Sequence, residues 1–83
     1  MPIRVKVLYF GQARDAAGTS AEVLSLPSFA SVGALVSEST KAHHLLKGIS
    51  GSMRIAVNEE IAAEDRRLND GDVVALLPPV AGG

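Results

Sequence analysis

The fold of this chain is decided by residues 69–79, which read NDGDVVALLPP. Residues 69–72 form a strong turn signal, with a glycine in third place that suits a backbone of positive φ. The apolar run Val73–Leu77 then predicts a strand, and the absence of polar alternation is typical of a strand covered on both faces. Pro78 and Pro79 end the strand, because proline has no N–H to donate to an inner sheet position.

The N-terminal part of the chain predicts two strands joined as a hairpin. Residues 3–10 place Ile3, Val5, Val7 and Tyr9 on one parity, which indicates a strand with one buried face. Residues 11–19 are predicted to form a loop, and residues 21–26 a second, shorter strand. A hairpin is the simplest arrangement of the two strands.

The middle of the chain predicts one main helix and a third strand. Ser31 offers an N-cap side chain, and an apolar stripe at helical spacing follows it as far as Leu46. Residues 47–52 predict a loop, and residues 53–57 a third strand. Residues 61–68 read as a mixed connection with a very short strand at its start.

This order of elements, β-β-α-β-(β)-β, predicts an α+β fold in which a mixed sheet packs on one main helix. The first and last strands are the most apolar, so we expect them to lie side by side at the centre of the sheet. That arrangement is the β-grasp fold of ubiquitin-like domains. We expect residues 1–77 to form the β-grasp domain and residues 78–83 an extended, flexible C-terminal tail ending in Gly-Gly.

Composition excludes several classes of function. The chain has 83 residues, a net charge of −1 and no cysteine, so neither disulfides nor a cysteine-rich metal site stabilise it. Its basic residues are scattered, which disfavours nucleic-acid binding. The first residues, which carry charges within their apolar run, do not read as a secretory signal, and we expect no membrane span because no apolar stretch approaches the roughly 20 residues that cross a bilayer. These features fit a cytoplasmic protein.

One apolar surface is expected to remain uncovered, because a single helix covers only one face of a sheet. If the first and last strands are parallel neighbours, Phe10 and Leu77 lie together beside the start of the tail. An exposed apolar patch of this kind marks a partner surface. The alternative is that a loop around Ile61 folds over the patch and buries it.

The tail itself predicts chemistry at the C-terminal carboxylate. Pro78 and Pro79 hold the exit extended, Val80 and Ala81 follow, and Gly82 and Gly83 remove side-chain bulk next to the carboxylate. Six residues can reach roughly 20 Å, enough to enter a narrow channel in another protein. The alternative is a frayed terminus without function.

Three stretches of this sequence resemble the sulfur-carrier (small) subunit family of molybdopterin synthase. They are residues 5–18 (VKVLYFGQARDAAG), residues 56–60 (AVNEE) and residues 68–83 (LNDGDVVALLPPVAGG). Gly-Gly alone is shared by all ubiquitin-like carriers, whereas the Gly-Asp…Pro-Pro-Val-x-Gly-Gly pattern is much narrower. The resemblance covers essentially the whole chain, although residues 37–52 match no pattern of the family.

The resemblance implies a sulfur carrier that acts on Gly83 with Gly82 beside it. A ubiquitin-activating-enzyme-like adenylyltransferase would use ATP to form an acyl adenylate there, and a sulfur donor would convert it to a thiocarboxylate. The large synthase subunit, in a heterotetramer, would then receive the sulfur for cyclic pyranopterin monophosphate. The family's partner surface falls on Phe10, Ile61 and Leu77, with Arg14 as a further contact. This chain would bind no cofactor and catalyse nothing by itself.

Other functions stay open from the sequence. The carrier could supply thiamine thiazole, cysteine or tRNA thiolation, or it could be a ubiquitin-like modifier conjugated to lysines, or an interaction domain with an inert tail. His43 and His44 are adjacent and point about 100° apart on a helix, with no cysteine or third histidine to complete a site. We therefore expect solvated histidines at a helix end and no metal site.

Overall fold

The sheet of this protein has its first and last strands at its centre, as the sequence predicts. The structure is a computed structural model and describes residues 1–79. Its strands lie in the order β2-β1-β5-β3-β4, with β1 parallel to β5 and the other neighbours antiparallel. The strands are β1 (Ile3–Tyr9), β2 (Ala21–Leu26), β3 (Arg54–Val57), β4 (Glu60–Ile61) and β5 (Val73–Leu77); the helices are α1 (Gly11–Ala17) and α2 (Val32–Ala42).

One face of the sheet carries the core. Every second residue of β1 is buried there, as the alternation in the sequence predicts. Helix α2 lies over this face with Val32 and Leu35 fully buried. Its N-terminus is capped as expected, because the Ser31 hydroxyl oxygen accepts a hydrogen bond from the Ala34 N–H at 3.2 Å.

Helix α1 corrects the prediction of a loop at residues 11–19. Its seven residues are too few to form a stable helix alone. Tertiary packing holds it instead, since Ala13 is fully buried in the same core as Leu35 and Leu46. Gly18 ends the helix at φ 75°, where its N–H bonds to the Arg14 carbonyl. Both α-helices therefore cover the same face, and within residues 1–79 no α-helix covers the other.

The loop predicted at residues 47–52 is also wrong in part. Two short 3-10 helices, His44–Gly48 and Ser50–Ser52, connect α2 to β3. The first of them buries Leu46 completely. The predicted short strand after residue 60 is present as β4, paired with β3.

Asn58 and Asp72, which lie in two of the stretches that resemble the family, have a structural role. The Asn58 side chain donates to Asp72 Oδ1 at 3.0 Å and accepts from the Val73 N–H at 3.0 Å. Asp72 Oδ2 accepts from the Asn69 N–H at 2.8 Å. Asn58 also has φ 50°, a conformation that asparagine tolerates better than most residues. Together these bonds fasten the turn after β3 to the turn before β5.

Within residues 1–79, none of the helices has the length and apolarity that a bilayer crossing requires.

Candidate partner-binding site

The helix-free face of the sheet carries an apolar row that crosses all five strands. The paired residues, in spatial order, are Ala21, Leu8, Ala75, Ala56 and Ile61. On β5, Val74 and Leu76 are fully buried in the core, whereas Val73, Ala75 and Leu77 are only half-buried. The expectation that β5 is covered on both faces is therefore wrong for residues 1–79. Its apolar run faces the core on one side and an open surface on the other.

At the end of β5 this surface deepens into a groove of about 930 Å³. We call it the tail-exit groove, because the first two tail residues form part of its wall. Phe10 is 47% exposed and Ile61 63% exposed, and with Leu77 they form one contiguous apolar lining of this groove. The groove is lined by Phe10, Gly11, Gln12, Ser52, Arg54, Ile61, Leu77, Pro78 and Pro79.

The structure brings together the three apolar residues named from the sequence. Phe10, Ile61 and Leu77 all line the tail-exit groove, although 50 residues lie between Phe10 and Ile61 along the chain. Ile61 does not fold over the other two, so the alternative of a buried patch is not what the structure has. Arg14 is exposed on α1 but is not among the residues that line the groove. The partner-binding role of all four stays a prediction.

Gly11 lies close to Pro78, where the chain leaves β5. A Cβ atom placed on Gly11 would lie 3.3 Å from Cγ of Pro78, and Gly11 has φ +51°. A side chain here would press on the proline ring and strain the backbone. Glycine thus lets the start of the tail lie against the start of α1. Val80, Ala81, Gly82 and Gly83 lie outside the described residues.

The groove offers binding chemistry rather than acid–base chemistry. Of its lining residues in the part of the chain described, Arg54 alone is charged. Sequence reasoning did not single out Arg54 or Gln12. The alternation of side chains along β3 does indicate the orientation of Arg54. Ile55 and Val57 are buried in the core, so Arg54 points to the helix-free face. Its place at the groove also required the register of β3 against β5, which the sequence did not provide.

A polar cluster lies on the core side, under the end of α2. The Tyr9 hydroxyl donates a short hydrogen bond to the Glu22 carboxylate, and His43 Nε2 lies 2.7 Å from the same Glu22 oxygen. The His43 ring also meets Tyr9 edge-on at 5.7 Å. His43 is thus a packed residue, which corrects the expectation of two solvated histidines; His44 is exposed. Residues 1–79 hold no group of three metal-ligating side chains.

This cluster predicts a loss of stability at high pH. Burial, and next the hydrogen bond to Glu22, raise the pKa of Tyr9 from 10.0 to about 12. Between these values the folded protein holds a proton that the unfolded chain releases, so the free energy of unfolding falls as pH rises, by about 2–3 kcal/mol. Below that window Tyr9 contributes no pH dependence.

The measurement is direct because the chain has one tyrosine and no tryptophan. Tyrosinate absorbance of the folded protein should titrate well above the ordinary range. Urea unfolding of the parent should weaken over the same window, and Tyr9→Phe should lack that slope. A Tyr9 that ionises near 10 in the folded protein would contradict the assignment.

Comparison with known proteins identifies the family of this chain. Residues 7–83 match the model of the ThiS family. The chain belongs to this family. Two curated relatives of this ThiS-family chain are molybdopterin synthase sulfur carrier subunits. The protein from Mycobacterium tuberculosis is 39% identical over 98% of this chain and 99% of its own length. The protein from Escherichia coli is 37% identical over 95% of this chain and 99% of its own length. The predicted resemblance is confirmed.

Solved structures support the β-grasp fold of this ThiS-family chain. A candidate molybdopterin converting factor subunit 1 from Pyrococcus furiosus has a TM-score of 0.86 at 37% identity, covering 94% of this chain and 99% of its own. Small archaeal modifier protein 1 from Methanosarcina acetivorans has a TM-score of 0.81 at 29% identity, covering 100% of this chain and 99% of its own. Subunit 1 in the complex of subunits 1 and 2 of molybdopterin-converting factor from Helicobacter pylori has a TM-score of 0.70 at 28% identity over 98% and 100%.

Proposed function

We propose that this chain is the sulfur carrier subunit of a molybdopterin synthase, which holds sulfur as a thiocarboxylate on Gly83. One observation carries the proposal: the first residues of the Gly-Gly tail form a wall of an exposed apolar groove. A partner that binds this groove is placed directly beside the tail and can receive its end. The full-length similarity to sulfur carrier subunits named for this synthase supports the same role.

The chemistry begins with activation, because a free carboxylate is a poor acyl donor. The carboxylate of Gly83 attacks the α-phosphorus of ATP on an adenylating partner and releases pyrophosphate. The outer sulfur of a persulfide then displaces AMP to form an acyl disulfide, and a thiol cleaves its S–S bond, which leaves the thiocarboxylate on Gly83 and a disulfide on the sulfur donor. In the synthase this sulfur is transferred to cyclic pyranopterin monophosphate, and water hydrolyses the acyl bond to restore the carboxylate. Two sulfur atoms are needed for each dithiolene, so two charged carriers act for each product.

The large synthase subunit is the partner that we assign to the tail-exit groove. Apolar side chains around a channel entrance would exclude water there while the tail enters the channel. The Helicobacter pylori relative, which was solved in complex with subunit 2, supports this pairing. In this role the chain supplies the sulfur atom, and the large subunit supplies the catalytic groups. The proposed assembly is a cytoplasmic heterotetramer of two small and two large subunits.

Intact-mass spectrometry tests the function. The full chain is incubated with ATP, an adenylating enzyme of the family, a persulfide donor and a thiol reductant. We expect the mass change for exchange of one oxygen for sulfur, located at Gly83 by fragmentation, and then loss of that sulfur when large subunit and cyclic pyranopterin monophosphate are added. Absence of the sulfur-bearing species would reject the carrier role. Loading without transfer to this substrate would indicate another sulfur pathway.

A second function, as a protein modifier, is favoured by one observation. The Methanosarcina acetivorans structure, named as a small archaeal modifier protein, matches this chain over its full length. A modifier uses the same adenylate but forms an isopeptide bond to a lysine amine in place of a thiocarboxylate. Denaturing gels of cells that express a tagged chain distinguish the two, because isopeptide adducts survive both denaturant and thiol.

A further inference from the structure

Arg54 lies on the helix-free face at the end of the sheet where the tail leaves β5. It is the first residue of β3 and pairs directly with Leu77, the last residue of β5. The Arg54 side chain is exposed and points to the same face as Ala56, since Ile55 points into the core. Besides the tail-exit groove, it lines a second depression of about 310 Å³ that also includes Ile61 and Met53. Arg54 therefore lies between two concave surfaces.

The guanidinium of Arg54 has no polar partner within residues 1–79. The two ion pairs in that part of the chain are Lys41 with Glu38 and His43 with Glu22, both on the helical side. No hydrogen bond from the Arg54 side chain to another described residue is present. Among the described residues nothing replaces water as the partner of this charge.

A partner that covers the groove must remove that water. Stripping water from an unpaired charge costs several kcal/mol, more than the apolar contacts around one residue return. The other described residues that line the tail-exit groove cannot compensate, because all of them are uncharged. The second depression includes one carboxylate, that of Glu64, but Glu64 forms no ion pair with Arg54. Arginine also presents a rigid fork of donors that fits a carboxylate with two parallel bonds, which lysine does not.

Building on the proposed function, we propose that the large synthase subunit presents an aspartate or glutamate that pairs with Arg54, and that this pair sets how the carrier is oriented on it. The apolar surface gives affinity without fixing rotation, since such contacts are non-directional. A bidentate pair beside Leu77 fixes that rotation one residue before Pro78, where the tail begins. Arg54 is thus a positioning and specificity residue, and it touches no reacting atom.

The experiment measures binding of the full chain to the large subunit by calorimetry, at low and high salt. We expect Arg54→Gln to weaken binding by about 30-fold or more, because the partner's carboxylate is left buried and unpaired. Arg54→Lys should restore part of the loss, and Arg54→Glu should bind more weakly still. The matched control is Lys47→Gln, which removes the same charge from an exposed residue on the helical side and should change affinity less than 2-fold.

Exchanging the charges of Arg54 and its partner identifies the acidic residue of the large subunit. Large-subunit variants in which each candidate Asp or Glu is changed to Lys are paired with Arg54→Glu, and one pair should recover most of the lost affinity. Single-turnover sulfur transfer at saturating large subunit should also slow in Arg54→Gln, since a rotated carrier presents its tail poorly. A purely structural role would not produce either the recovery or the slowing.

The binding results distinguish an error in this inference from an error in the proposed function. If the parent carrier does not bind the large subunit at all, the function is wrong. If the parent binds and Arg54→Gln binds equally well, the function stands and the pairing is overturned. The pairing is also overturned if Arg54→Gln weakens binding to the adenylating enzyme alone, because the carboxylate then belongs to that partner.

Discussion

Replacing Phe10 with aspartate is expected to weaken binding of the large subunit by about 100-fold or more while the domain stays folded. The aromatic ring is half-exposed at the rim of the tail-exit groove, so its loss removes an anchor and puts a charge into an apolar interface. The fold tolerates this change for a specific reason. Phe10 is the N-cap of α1, with extended backbone and no side-chain capping bond. Aspartate is among the best N-cap residues, so we expect the midpoint of thermal unfolding to hold or rise.

The matched control is Phe29→Asp. Phe29 is 77% exposed and follows β2 at the end of the sheet opposite to the groove. Its φ of 66° is unfavourable for phenylalanine and better tolerated by aspartate, so this variant should also stay folded. Its affinity for the large subunit should match the parent within about 2-fold. Equal losses in both variants, measured by calorimetry, would mean that the groove is not the docking surface.

Changing Gly82 to alanine is expected to slow sulfur transfer by about 100-fold without changing the unfolding midpoint. The reason is steric: a methyl group beside the carboxylate obstructs a narrow channel, and a misplacement of about 1 Å at a reacting centre costs that order of rate. The carrier is prepared as the thiocarboxylate by chemical ligation, so that adenylation does not limit the rate. Single-turnover formation of product by the large subunit is then followed.

Ala81→Gly is the control for this variant. It alters one methyl group on the neighbouring residue and leaves both terminal glycines in place, so transfer should stay near the parent rate. Full activity of Gly82→Ala would count against the idea that the tail enters a channel. Slow transfer with normal binding would support it, because the residues that form the docking groove all precede Gly82 and are unchanged in this variant.

The central sheet could be predicted because its signals are local. The run Val73–Leu77 is bounded by a turn and two prolines, and the alternation in β1 marks its buried face over seven residues. Their position side by side at the centre then follows from their shared apolar character, whereas their parallel direction was only assumed in predicting the apolar patch and is shown by the structure. The grouping of Phe10 with Leu77 could be predicted for the same reason, since it needs only that pairing and the parity of each strand.

The features that the sequence did not provide depend on contacts between distant segments. Helix α1 is held by the burial of Ala13 rather than by its own propensity. His43 pairs with Glu22, 21 residues earlier, so no local pattern shows that it is packed. The position of Arg54 at the groove depends on the register of β3 against β5. In each case the deciding neighbour lies on another element of the fold.

The central position of β5 also has a mechanical consequence. The strand that leads into the tail is hydrogen-bonded along both edges, to β1 in parallel and to β3 antiparallel. A pull on its C-terminal end acts along the strand and loads both ladders in shear, so many bonds share the force at once. At the end of a hairpin at the sheet edge, the same pull would peel bonds apart one by one. A partner can therefore hold the tail under tension while the carrier domain remains folded.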